Sequence, residues 1–218
     1  MSERGQPIDD AWYMDYAAGS IASRGEAVLL ACHMELNDAA NERVSDLERV
    51  GAAVMMASRG KRPGFDFDAV LDRIDAEDGL AGQTAPTRSP EDYVPVALQN
   101  FLLETGKEIH WEFLAPGMRK AMLWTGDEGE RLWLLKAEPG MAIPHHGHHG
   151  SELTLVLKGS FHDGDRQFVP GDVEEAGPDT EHDIRIDDAG ECICLAVTHG
   201  KLRYDNPLLK LMQVFTGL

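Results

Sequence analysis

Cysteine, positive charge and long apolar runs are all scarce in this sequence. Only Cys32, Cys192 and Cys194 occur in 218 residues. An odd count with no Cys-x-x-Cys spacing argues against a disulfide framework and for a reducing compartment. No apolar leader follows Met1, and no apolar stretch approaches the roughly 18 residues that span a bilayer. A soluble, cytoplasmic protein with no membrane contact is therefore expected. Lys and Arg number 20 against 38 Asp and Glu, a formal net charge of −18. Split at residue 80, the chain has 8 basic and 16 acidic residues before that point and 12 and 22 after it, so both parts are acidic. Direct binding to nucleic acid is disfavoured, because phosphate contact needs clustered Lys and Arg. A basic protein partner remains compatible with the charge.

What is present suffices for a folded chain. Hydrophobic residues make up 43% and charged residues 27%, which excludes wholesale disorder. The length accommodates one large domain or two small ones.

The first 80 residues read as helices. Asp9 or Asp10 caps a short helix in which Trp12, Tyr13, Tyr16 and Ala17 lie near one face, and Gly19 ends it. A second helix is expected over 25–36 and a third over 38–58, where Val44, Leu47, Val50 and Val54 recur at three- and four-residue steps as a buried stripe. A fourth is expected around 67–76. From Gly79 to Pro95 apolar periodicity is lost and Gly, Ala, Thr, Pro, Gln and Ser dominate, which reads as an interdomain linker over 80–95. Residues 96–102 fit a short helix or an entry strand equally well. Beyond them come roughly eight short strands punctuated by turns at Pro116-Gly117, Gly126 to Gly129, Pro139-Gly140, Asp163-Gly164-Asp165 and Pro170-Gly171, as a closed barrel needs. The apolar tail 207–218 should pack on something. Cys192 and Cys194 flank Ile193 in a strand, so their thiols share a face, and structural burial is expected for both.

The chemistry concentrates between Gly140 and Gly159. His146, His148 and Glu152 are spaced by two and four, so on an extended segment all three side chains fall on one face. Two imidazoles and a carboxylate there suit Zn, Fe, Mn, Ni or Cu, and need a further ligand from elsewhere. His182, at the head of the alternating run 182–186, is the best placed. His145 and His149 have the opposite parity and should face solvent.

Gly140, five residues, His146-x-His148, three residues, Glu152, six residues, Gly159 resembles the first cupin motif at every position. Gly171, Pro178 and His182 resemble the second motif with its order disturbed. The resemblance implies an antiparallel β-barrel holding one divalent transition metal on His146, His148, Glu152 and His182, with open positions, and it implies pairing of barrels into a homodimer. With Asp15-Tyr16-Ala17-Ala18-Gly19-Ser20 and the Ala/Val/Leu-rich helix leading to His33, the whole chain resembles the ChrR-type anti-sigma factors. The blocks 132–140, 152–161 and 190–196 extend that likeness through the barrel. The fold class is then α + β in two domains: a small N-terminal helical bundle (1–79), a linker (80–95) and a C-terminal cupin barrel (96–218).

One departure from the family pattern matters. Its zinc signature is a histidine followed after three residues by Cys-x-x-Cys, with another histidine near the N-terminus. Here Asn37 and Ala40 stand where the thiolates would be, and Gly5 to Ile8 contains no histidine. One imidazole cannot hold a tetrahedral structural zinc, so none is expected in 1–79. His33 is expected to be a helix-surface or capping residue, with Trp12, Tyr13 and Tyr16 supplying by packing part of what the metal would contribute. The resemblance implies a regulator whose helical domain binds a sigma factor of the extracytoplasmic-function type and whose metal-loaded cupin senses a reactive oxygen species or an oxidised small molecule. The alternatives are a small metal-dependent cupin dioxygenase or isomerase, since such a metal site can activate dioxygen or polarise a carbonyl, and a metal-binding cupin without turnover.

Overall fold

A computed structural model of the chain describes residues 3–4, 8–58, 69, 71, 73, 92–126, 129–200 and 202–203. The helix expected at 67–76 (three isolated positions apart), most of the 80–95 linker and the 207–218 tail lie outside the described residues. A short strand β1 (Glu3–Arg4) precedes helices α1 (Asp10–Ala18), α2 (Arg24–Leu36), α3 (Asp38–Ala57) and α4 (Val96–Thr105). The first three start on side-chain caps. Asp9 accepts from the Ala11 N–H at 2.8 Å, Ser23 from Glu26 at 2.9 Å and Asn37 from Ala40 at 3.2 Å, each taking up a donor that the helix cannot satisfy internally. Gly19 ends α1 in the left-handed conformation.

α4 settles the ambiguity of 96–102 by a long-range contact. Pro95 offers no side-chain cap, and the Glu35 carboxylate of α2 instead accepts from the N–H groups of Val96 (2.8 Å) and Ala97 (3.0 Å). A carboxylate against a helix N-terminus is favourable both as a hydrogen-bond acceptor and as a charge against the helix dipole. Leu98 and Phe101 bury the facing side of α4.

The rest of the described chain is β: β2 (Glu112–Ala115), β3 (Met118–Thr125), β4 (Arg131–Ala137), β5 (Ala142–His148), β6 (Glu152–Lys158), β7 (Phe161–Asp163), β8 (Arg166–Phe168), β9 (Val173–Ala176), β10 (Glu181–Ile186), β11 (Cys192–Thr198) and β12 (Leu202–Arg203). They form two six-stranded sheets, in the orders β1-β8-β7-β10-β5-β12 and β2-β3-β4-β11-β6-β9. This is the expected cupin architecture, with more and shorter strands than the turn signals suggested.

The second sheet is covered on both faces. Leu132 and Leu134 of β4, Leu153, Leu155 and Leu157 of β6, and Ile193, Leu195 and Val197 of β11 join one core with Leu29, Leu30 and Cys32 of α2 and with Leu98 and Phe101 of α4. The alternate residues Val156, Cys192 and Cys194 point the other way and pack with Phe161, Phe168, Ile184 and Ile186 of the first sheet. Burial on both faces explains why β6 and β11 read as continuous apolar runs. The two thiols lie buried 3.6 Å apart, and the contact with Cys192 together with burial holds Cys194 well above the usual thiol range.

α2 is pinned to the barrel at both ends. At its start, the buried Glu130 carboxylate accepts from the Gly25 N–H (3.1 Å) and from the Ser23 hydroxyl. A side chain at residue 25 would collide with that carboxylate, since its Cβ would lie 2.7 Å from Oε1. Near the start, Glu26 also meets His199 at 3.0 Å. The stripe expected on α3 is only half correct. Val44 is buried and Leu47 packs partly buried against the core, but Val50 and Val54 lie outside it, 60% and 62% exposed. Met55 and Met56 continue this exposed apolar end.

Candidate metal centre

β5 and β10 run antiparallel with His182 opposite His146, and the two-residue step along β5 puts His148 on the same face as His146. The His182 Nε2 atom lies 3.1 Å from Nε2 of both His146 and His148. All three rings are buried. Two of the opposite nitrogens are hydrogen-bonded: Nδ1 of His146 donates to the Pro144 carbonyl (2.9 Å) and Nδ1 of His182 to Glu174 Oε1 (3.4 Å), while Nδ1 of His148 lies 4.0 Å from Glu152 Oε2. The first two partners assign the Nδ1–H tautomer to His146 and His182, and the three Nε2 atoms lie toward one point, the usual arrangement behind metal-binding histidines.

Burial keeps two of these imidazoles neutral. Desolvation, aided by the neighbouring rings, lowers His146 to about 4 and His148 to about 3. Burial opposes protonation of His182 as well, but its hydrogen bond to Glu174 and the charge there carry it above the ordinary histidine value. A proton on His182 Nε2 serves one of the two 3.1 Å contacts at a time, whereas a divalent cation satisfies all three nitrogens. The donor set therefore fits a transition metal, which would supply Lewis acidity or, for a redox-active ion, electrons to an oxidant.

Glu152 stands beside this cluster at the start of β6. Thr154 donates to its Oε1 at 3.1 Å, and burial first, then the Glu174 charge, raises its carboxyl to about 7. Its carboxylate lies on the Nδ1 side of His148, so the three histidines converge without it. A second group with metal-ligand atoms within 4.8 Å of one another, Asp163, Glu174 and His182, shares His182 with the first. Glu174 is the residue that the sequence reading missed. Its only signal was parity, since β9 pairs with β6 so that Glu174 lies opposite Thr154, on the inner face. His145 and His149 are exposed as expected, with His145 beside Glu181 and Asp183.

His33 is not a surface residue. It is 3% exposed, with Nδ1 donating to the Gly171 carbonyl of the barrel (2.8 Å) and Nε2 accepting from the Tyr13 hydroxyl (3.0 Å). Asn37 reaches the same carbonyl at 3.4 Å while capping α3. The correction has a packing cause: the 169–172 turn seats against the C-terminus of α2, so close that a Cβ on Gly171 would lie 2.7 Å from the Leu36 carbonyl. Gly171, at φ 90°, occupies backbone space that only glycine enters readily.

A pH dependence follows. Burial lowers the His33 pKa below 6.5, so the unfolded chain takes up a proton near that pH which the folded chain refuses. The stability this residue confers is present above pH 6.5 and is lost as pH falls from there toward the folded value. Urea unfolding of wild type and His33→Gln at pH 7 and 5.5 should show the variant losing less stability on acidification, by up to about 1.4 kcal/mol per pH unit. Equal losses would show that His33 is protonated without cost.

The fold and the site together define a cupin with a buried histidine cluster able to hold a metal, joined to a helical head. A family model for the ChrR cupin-like domain matches residues 99–203. The chain is 34% identical over 211 residues to the anti-sigma-E factor ChrR of Cereibacter sphaeroides, covering 95% of this chain and 96% of that protein. The crystal structure of Rhodobacter sphaeroides SigE in complex with the anti-sigma ChrR matches at a TM-score of 0.70 and 33% identity, over 89% of this chain and 99% of that one. The chain belongs to the ChrR family of anti-sigma factors.

Proposed function

We propose that the protein is a cytoplasmic anti-sigma factor. Its helical segment holds a sigma factor of the extracytoplasmic-function type away from RNA polymerase, and the barrel's metal centre weakens that hold on meeting an oxidant or an oxidised small molecule. The observation that carries this reading is the likeness to ChrR over almost the whole chain, helical head included. A cupin enzyme would need only the barrel. The exposed apolar end of α3, with Val50, Val54, Met55 and Met56, supplies surface of the kind a partner helix covers. His146, His148 and His182 are assigned as metal ligands, with Glu152 as the fourth after a change of carboxylate rotamer. Zn, Fe, Mn and Ni all suit this set. The head is assigned no zinc, because both nitrogens of His33 are engaged in hydrogen bonds and burial holds the neighbouring Cys32 as a neutral thiol, pushed up to about 12.

Within the barrel the chain's own residues have separable tasks. Pro144 and Glu174 hold the Nδ1 protons of His146 and His182, and Thr154 steadies Glu152. The apolar wall of Val156, Phe161 and Ile184 keeps the neighbouring interior dry.

Co-expression of the tagged full chain with an extracytoplasmic-function sigma factor encoded beside it tests the proposal. A stoichiometric complex that blocks transcription from that sigma factor's promoter in vitro is expected. Failure to capture any such sigma factor, with the chain folded and metal-loaded, would overturn the proposal in favour of the enzyme reading.

A further inference from the structure

β9 is four residues long and touches both parts of the molecule. Its alternation sends Glu174 inward to His182 Nδ1 at 3.4 Å and Glu175 outward, where its carboxylate accepts from the Trp12 indole N–H of α1 at 3.0 Å. Two residues before the strand, the Gly171 carbonyl accepts from His33 of α2 and from Asn37. The turn that presents this carbonyl is itself fixed to β6. Gly171 N–H donates to Val156 O (2.9 Å), Val156 N–H donates to Asp172 O (3.0 Å), and the Asp172 carboxylate accepts from Val169 N–H (3.1 Å). Residues 169–176 therefore form one braced segment, with a histidine of the metal cluster on one side and α1 and α2 on the other. The second oxygen of Glu174, Oε2, is buried without a hydrogen-bond partner among the described residues.

We propose that this segment couples the metal centre to the helical head: Glu174 is a positioning residue whose place is set by His182, and a shift of β9 is read out at Trp12 and His33. In this family member, two hydrogen bonds to the barrel occupy the region where the family pattern puts zinc, so the head is held by the element that lines the sensor. The inference rests on the regulatory reading for its biological use, but not for its physics. If metal occupancy changes head docking through Glu174, linkage requires that breaking the docking change metal affinity by the same factor.

The experiment uses the full chain, stripped with chelator and then titrated with Zn²⁺, and reads amide hydrogen exchange in peptides from α1 and α2. In wild type, saturation with Zn²⁺ should change exchange in residues 10–36 by about fivefold or more, the lower end of ordinary coupling energies. Glu175→Ala, at an exposed position where folding is not at risk, and His33→Gln should each reduce that response to less than half while still binding one Zn²⁺ per chain. Glu174→Ala should weaken Zn²⁺ binding by about 10–100-fold, as loss of an outer partner of a ligating histidine does, and should leave the head unresponsive even at saturation. An unchanged head in wild type at full occupancy, or an undiminished response in Glu175→Ala and His33→Gln, overturns the proposal. No sigma factor enters these measurements, so failed sigma capture and failed coupling are separate results.

Discussion

His182→Ala is expected to remove stoichiometric metal from the protein. Its Nε2 stands 3.1 Å from those of both His146 and His148, and its ring packs against both of theirs. Losing it leaves two neutral imidazoles and Glu152, whose carboxyl burial raises well above the usual carboxylate range. Affinity should fall by well over a hundredfold, beyond the 10–100-fold that loss of an outer-shell partner costs. Chelator competition measures it, with His145→Ala as the control. His145 is exposed and paired with Glu181 and Asp183, so its removal should leave binding untouched. Wild-type affinity in His182→Ala would remove β10 from the site.

The second large effect concerns stability. Leu29 is completely buried where α2 meets the outer face of the β4–β11–β6 sheet, in a core that includes residues of both the head and the barrel. Leu29→Ala should cost about 2–5 kcal/mol through lost transfer energy and the cavity left behind. For a chain of this size that is roughly 5–15 °C in Tm. Because the core is shared, helical and β-sheet signals should be lost in one transition at the lower temperature. Two separated transitions, with the helices melting first and the barrel at its wild-type temperature, would show that the head folds on its own account and only leans on the sheet.

Local signals were legible where chemistry and parity coincide. The His146-x-His148 step, the turn glycines around it and the placement of His182 after two turns are all set by strand geometry, and the structure brings the three imidazoles together. The cap of α1 was visible for the same reason, since Asp9 acts on a donor two residues away. What escaped depends on distant partners. Residues 96–102 become a helix because Glu35, some sixty residues earlier, supplies the cap. His33 is buried because the 171 turn arrives from the barrel, and nothing local to it announces that carbonyl. Glu174 sits in a run of two acids, and only the β6–β9 register decides which of them faces inward. The α3 stripe misled in the opposite sense: apolar periodicity reports a face that is able to be buried, and Val50 and Val54 display that face outward.

The proposed resting state has one ion in the barrel and a head held by His33, Tyr13 and Gly171 instead of zinc. Elemental analysis of the purified full chain addresses it most directly, with His146→Ala and His33→Ala measured alongside. About one transition-metal ion per chain is expected, lost in His146→Ala and retained in His33→Ala. Two ions per chain, or a single ion that His33→Ala removes, would contradict it.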